Sequence, residues 1–297
     1  MQIIECVPNI SEGRRKEVIE SIVNCVKNTN GIKFLDYSYD YDHNRSVLTF
    51  VGDKDSLKQG VINLFVKSVE LIDLTKHKGE HPRMGAVDVC PFIPVKDVTI
   101  EECVNLAKEI GQILSEKLNL PIYLYEYAAT LPHRKNLADI RKGEFEGLKE
   151  KMTKPEWKPD FGPDTPHPTA GASVIGVREF LIAYNINLNT SDINIANQIA
   201  KAVRARSGGL AYVKAIGINL SERNIAQVSM NLVNFNKTPI YRVFELVKIE
   251  AQRYGVSIIG SEIVGLIPQR ALLETAAYYL QIENWDNNLV LENRIFF

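Results

Sequence analysis

With 297 residues and 45% hydrophobic content, the chain can bury one large core or divide into two domains of roughly 150 residues each. Its 36 acidic and 35 basic side chains leave a formal charge of -1, a balance that argues against a general nucleic-acid or membrane-surface footprint. No apolar run approaches the roughly 18 residues of a membrane helix, and MQIIECVPNI lacks an export signal. Cys6, Cys25, Cys90 and Cys103 lie far apart with no C-x-x-C pair, so reduced, mostly buried thiols in a cytoplasmic protein are expected.

Hydrophobic period places a strand at about 2–7, a helix after Ser11, extended chain at GIKFLDYSY, a strand at NRSVLTFVG, a helix from about Asp55 to Leu71 and a strand at AVDVCPFIPV. In NISEGR, Ser11 reads as the N-cap of the first helix with Glu12 in its first turn. Asn9 sits at the carboxyl end of the first strand, where open α/β folds collect ligand-contacting groups. A helix over about 99–118 opens on a Thr99–Glu102 capping box and leads into the strand PIYLYEYAA.

The second half repeats the order: EFLIAYNINL as strand, about 191–205 as helix, GGLAYVKAIGINLS and NIAQVSMNLVNF as a strand pair, 239–254 as helix, VSIIGSEIVGLIP as closing strand. Pro239 marks a helix start and Gly255 its end. The expectation is an α/β (α+β) chain of two tandem ferredoxin-like βαββαβ subdomains, 1–177 and 178–297, with a ligand crevice between them. KPEWKPDFGPDTPHPTAGAS, residues 154–173, carries too much proline for a regular element. It reads either as a stiff tether or as an ordered binding loop, since His167, Trp157 and Phe161 are costly choices for a tether.

His77-Lys78-Gly79-Glu80-His81 fits the H-x-x-E-H pattern of inverted zinc peptidases, but Gly79 and Pro82 oppose the helix that chemistry requires. His43, His133 and His167 offer no third ligand in a short motif, so no metal is expected. A calcium loop at Asp40–Asn44 fails at Arg45 and Val51, its sixth and twelfth positions. Cys90 reads as a buried thiol on an apolar strand, whereas Asp88 beside it needs a partner or a ligand.

Together ECVPNISEGR, DHNRSVLTFVG, HKGEHPRMGAVDVCPFIPV, PDFGP with HPTAGASVIGVREFLIAYNINL, and NIAQVSMNL resemble the glutamate formimidoyltransferase family, which stands alone in bacteria and archaea and is fused to a cyclodeaminase in animals. The likeness spans nearly the whole chain, and only the transferase half is expected here. It implies transfer of a formimidoyl group between N-formimidoyl-L-glutamate and N5 of tetrahydrofolate, a step in histidine breakdown, with tetrahydrofolate as co-substrate and no metal. It further implies small-molecule substrates, no nucleic acid or membrane partner, and a homodimer.

The family's catalytic histidine matches His81. An imidazole near neutral pKa can both take and return the proton as an amidine carbon passes between two amines. Arg83 and Asp88 complete the expected catalytic set. Asp36 or Asp88 is available to the cationic amidinium, and Arg45 and Arg83 to the glutamate carboxylates. Asn9 joins the binding residues. The folate-contacting stretch corresponds to Gly162, Pro163, Asp164, Thr165, Pro166, His167, Pro168, Thr169, Ala170 and Gly171. Where animal members place an aspartate two residues after Asp36, this chain has Ser38. Handling of 5-formyltetrahydrofolate on the same fold, or folate binding without catalysis, remain the alternatives.

Overall fold

The structure, a computed structural model, describes residues 2–41, 43–79, 82–220 and 223–296. The chain forms two compact units, Met1–Arg178 and Glu179–Phe297. In the first, the opening strand is interrupted at Val7-Pro8 into β1 (Ile3–Cys6) and β2 (Asn9–Ile10). It is followed by α1 (Lys16–Lys27), β3 (Lys33–Asp40), β4 (Arg45–Gly52), α2 (Lys54–Leu71) and β5 (Val87–Lys96). These strands lie side by side as β3, β4, β1 with β2, then β5, each neighbour antiparallel. That is the βαββαβ arrangement, each helix crossing over one strand. α1 buries Val18, Ile19, Ile22, Val23 and Val26 against it, a helical stripe in which each full burial is worth about 1.5–3 kcal/mol.

Beyond the core, α3 (Ile100–Leu118) carries the chain to β6 (Ile122–Glu126), and its Thr99–Glu102 capping box is present as expected. Two short helices, α4 (Leu137–Arg141) and α5 (Glu144–Lys151), come next. β7 (Ser173–Val177) then inserts between β5 and β6, parallel to both. The second unit runs β8 (Ile182–Leu188), α6 (Ile193–Val203), β9 (Val213–Leu220), β10 (Ile225–Leu232), α7 (Ile240–Arg253) and β11 (Ile258–Val264). Its sheet order, β11-β8-β10-β9, is the same topology, again antiparallel. Pro239 is the N-cap of α7, and Gly255 beyond its end takes φ +67°. α8 (Gln269–Tyr279) and α9 (Leu291–Phe296) follow the duplicated core.

Two features depart from the sequence reading. α1 begins at Lys16, so Ser11 is not its cap; the Ser11 hydroxyl donates to the Gly85 carbonyl at 2.7 Å. Glu12 closes the intervening turn, its Oε1 accepting the backbone N–H groups of Arg14 and Arg15, each at 2.9 Å. Gly13 explains the delay: a Cβ there would stand 2.1 Å from the Asp40 carbonyl oxygen. The second departure is that α4, α5 and β7 were not in the pattern, and neither were α8 and α9. The proline-rich segment, left open between tether and ordered loop, is the ordered one. Asp160 accepts from the Leu124 N–H at 2.8 Å, from Arg134 Nη1 at 2.9 Å and from the Thr130 hydroxyl, and the Tyr123 hydroxyl donates to the Trp157 carbonyl. Among the described residues no helix is long and apolar enough to cross a membrane.

Candidate active site

Asp88 stands where the β2–β5 ladder changes register. Asn9 pairs with Val89 and Ile10 with Val87, which leaves Asp88 as the extra residue of a β-bulge. It is 1% exposed, a position no bare carboxylate tolerates. Its Oδ1 accepts from the Met84 N–H and its Oδ2 from Arg45 Nη1, both at 3.0 Å, while Arg141 Nη2 lies 2.5 Å from the same Oδ2. Arg45 Nε and Nη2 donate to Asn9 Oδ1 at 3.0 and 2.6 Å, and Asn9 Nδ2 donates to the Val7 carbonyl.

Two guanidinium groups therefore share one carboxylate. Burial, then repulsion from Arg141, lowers the Arg45 pKa to about 10. Arg141 is incompletely satisfied: among the described residues neither its Nε nor its Nη2 makes an aligned hydrogen bond, despite the close approach to Asp88. It is held in place from the end of α4, where Lys151 Nζ donates to the carbonyls of Asp139, Ile140 and Lys142 at 2.8, 2.5 and 3.1 Å. Among the described residues, then, two guanidinium groups meet one carboxylate in a mostly buried site.

The segment leading to Asp88 is fixed by a second network. His77 Nε2 is 2.9 Å from the Asn44 carbonyl, and Arg83 Nε donates to His77 Nδ1 at 3.1 Å. A guanidinium can only donate, so Nδ1 is the acceptor and the ring proton sits on Nε2, directed at Asn44. Burial holds the His77 pKa below its ordinary value, opposed by the Asn44 carbonyl and reinforced by the Arg83 charge. Arg83 Nη1 donates to Glu144 at 3.1 Å and Glu146 at 2.8 Å, and Nη2 to the His77 carbonyl at 3.2 Å and Glu146 at 2.7 Å. The Arg83 fork is thus taken up within the protein. These groups line a cavity of about 830 Å³ together with Lys78, Gly79 and Phe145.

His81 and Glu80 lie outside the described residues, directly after Gly79. His77 to Gly79 is not helical, as Gly79 and Pro82 imply. Gly79 has a further reason: a Cβ would meet the His43 carbonyl oxygen at 2.4 Å. Both His77 ring nitrogens already have protein partners, and among the described residues no three His, Cys, Asp or Glu side chains form a metal-binding group. Cys90 is buried, its Sγ 3.5 Å from that of Cys6.

The 162–171 stretch ends in a tight turn. His167 and Gly171 exchange backbone hydrogen bonds of 2.8 and 3.0 Å, and His167 Nδ1 accepts the N–H groups of Thr169 and Ala170 at 3.3 and 3.0 Å. Burial lowers the His167 pKa. Gly171, at φ +68°, and Gly162, at φ +91°, take conformations that side chains resist. The turn docks on both ends of the chain leading into β5: Leu74 N–H donates to the Thr169 carbonyl at 2.8 Å, Ala86 N–H to that of Ala170 at 3.0 Å. Pro163, Asp164, Thr165, Pro166 and Pro168 fill the remainder, with Asp164 paired to Lys158 at 2.9 Å. Asp36 is exposed on β3, opposite Thr49.

Sequence reasoning missed Arg141, Glu144, Glu146 and Asn44. The first three lie in ADIRKGEFEGLKEK, whose dense alternating charge looks like a solvated helix face. Gly79 was the available signal for Asn44, since glycine marks close backbone approach.

A duplicated βαββαβ chain that sets arginines from β4, α4 and the α2–β5 connection, with an imidazole, around one segment has the make-up of a transferase for small anionic molecules. Residues 3–178 match the family model for the formiminotransferase domain, N-terminal subdomain, and residues 183–295 that for the formiminotransferase domain. The glutamate formimidoyltransferase of Streptococcus pyogenes serotype M1 is 51% identical over 99% of both chains. That of Thermoplasma acidophilum is 48% identical over 99% of this chain and 98% of its own. The formimidoyltransferase-cyclodeaminase of Mus musculus is 48% identical over 95% of this chain, which spans 53% of the mouse protein. The chain belongs to the formiminotransferase family.

Proposed function

We propose that the chain moves a formimidoyl group between N-formimidoyl-L-glutamate and N5 of tetrahydrofolate, with His81 as the acid/base. The observation that carries this reading is the near-complete correspondence, at 51% identity, with a glutamate formimidoyltransferase. The folate supplies the second amine; everything else falls to protein side chains.

Arg45 and Arg141 bind a carboxylate of the glutamate substrate, as paired guanidinium groups beside one buried acid are suited to do. Asp88 and Asn9 orient the two guanidinium groups. Arg83 positions the catalytic loop through His77 and the Glu144–Glu146 pair, a different role from the carboxylate fork expected of it. The 162–171 turn contacts the folate, and Asp36 is the acid open to the amidinium. We further infer a cytoplasmic homodimer, supported by the apolar side chains that the C-terminal region leaves in solvent, including Leu280, Leu289, Leu291 and Ile295. Light scattering would read the assembly directly.

The test is turnover by the purified chain, comparing N-formimidoylglutamate plus tetrahydrofolate with 5-formyltetrahydrofolate plus glutamate. Faster formimidoyl transfer is expected. Turnover with the formyl folate alone, or with neither pair, overturns the reading.

A further inference from the structure

α4 and α5 are joined by Lys142 and Gly143, the latter at φ +95°. At five residues α4 is too short to hold its own shape in water, and the end of a helix leaves its last carbonyls without intrahelical donors. Lys151, the last residue of α5, supplies them. Its Nζ donates to the carbonyls of Asp139, Ile140 and Lys142, so the two carbonyls before Arg141 and the one after it converge on a single ammonium. An ammonium has three protons, and all three are used.

The ammonium is held from its other side as well. Nζ lies 3.8 Å from the centroid of the Trp157 ring, a cation–π contact, and His133 meets that ring edge-on at 4.8 Å. Trp157 is fixed through its carbonyl, which accepts from the Tyr123 hydroxyl at 2.5 Å, and it packs on a small core that includes Ile140, Leu148 and Met152. Burial lowers the Lys151 pKa to about 8; Asp139 opposes that shift, and Lys142 and Lys154 add to it. Once deprotonated, the amine keeps two donors and turns a lone pair toward the third carbonyl.

We propose that Lys151 is a positioning residue for Arg141: by bracketing the backbone of residue 141 it sets the approach of the guanidinium to Asp88, and with it the affinity for the anionic substrate. The inference rests on the carboxylate reading of Arg141 above. Arg141 takes little direction from its own side chain, since neither Nε nor Nη2 makes an aligned hydrogen bond among the described residues, so its aim depends on where its backbone is pinned. Arg45 differs, because Nε and Nη2 are both tied to Asn9. Loosening the end of α4 therefore misdirects one guanidinium and leaves the other in place, which weakens substrate binding without touching the proton transfer assigned to His81.

Steady-state kinetics of the full chain across about pH 7 to 9, with formimidoylglutamate and tetrahydrofolate varied in turn, test this in the parent, Lys151→Met, Lys151→Arg, Arg141→Met and the Lys151→Met, Arg141→Met double variant. At the lower pH, Lys151→Met should raise KM for formimidoylglutamate about tenfold while kcat and the folate KM stay within about threefold. The parent's KM for formimidoylglutamate should climb at least about threefold as pH passes the Lys151 pKa of about 8, below the value of about 10 at which Arg45 loses its proton. Lys151→Met should lack that step, and so should Lys151→Arg, which stays charged. In the Arg141→Met background, Lys151→Met should add less than about twofold. A parent-like KM in Lys151→Met overturns the proposal, as does an equal rise in both KM values or a full effect on top of Arg141→Met. Should Lys151→Met fold poorly, a flat KM in the parent or an unchanged step in Lys151→Arg overturns it instead. A parent-like KM in Arg141→Met alone removes the carboxylate reading, and a parent without formimidoyl transfer removes the proposed function; this inference falls with either.

Discussion

The two units share one topology and diverge beyond its last strand. After β11 the second unit adds, among the described residues, α8, a short 3-10 turn and α9, and the face of its sheet away from α6 and α7 carries amides. After β5 the first adds α3, β6, α4, α5 and β7, and these additions hold the segment from Leu74 to Asp88. Arg141 meets Asp88, Glu144 and Glu146 meet Arg83, and the Thr169 and Ala170 carbonyls receive Leu74 and Ala86. All five histidines, His43, His77, His81, His133 and His167, also belong to the first unit. The additions thus brace a segment that itself belongs to the duplicated core, the α2–β5 connection, and contribute Arg141, Glu144 and Glu146 to it.

The sharpest way to break that contrast is His81→Ala, which should lower kcat by about 10²–10⁴ with folate binding within a few-fold. Parent-like turnover would take the acid/base out of the first unit. Arg141→Met should raise KM for formimidoylglutamate by about 10- to 100-fold, the usual worth of a charged hydrogen bond, and move KM for the folate much less. Equal changes for both substrates would make Arg141 structural. Arg83→Met leaves His77 Nδ1 without its donor, and a chemical melt should show a loss of about 1–3 kcal/mol with a lower kcat.

The smallest effect is in pH. A histidine whose folded pKa is depressed costs nothing while both states are neutral. Stability is lost as pH falls through the unfolded value near 6.5, because only the unfolded chain gains the proton readily. His77 and His167 both shift this way. Unfolding free energy should therefore decline below about pH 6.5, and His77→Gln should flatten part of that slope. An unchanged slope would mean His77 is not held neutral.

What was legible in the sequence is what local chemistry decides. Alternation marked the strands of both cores, and the Thr99–Glu102 box marked α3, because capping is settled within a few residues. Ser11 misled for the opposite reason: its rule is local, but Gly13 must pass the Asp40 carbonyl before a helix can start. β7 reads Ser173-Val174-Ile175-Gly176-Val177 with no alternation, since a strand paired on both edges and buried on both faces has no polar side to show. Next to the prolines it looked like their continuation. Arg141 was hidden because its partner lies 53 positions away, across an insertion no local rule foresees.

The position of β7 has a consequence for biosynthesis. Among the described residues β6 pairs with no strand but β7, and β7 is the last piece of its sheet to leave the ribosome. Until residue 177 emerges, β5 presents an open edge and β6 has no ladder to join. The nascent chain must therefore carry an incomplete sheet through the synthesis of the intervening insertion, closing it by a late, long-range pairing of the kind that folds slowly and invites edge-to-edge association. A chain stopped at 175 would cut this strand in two.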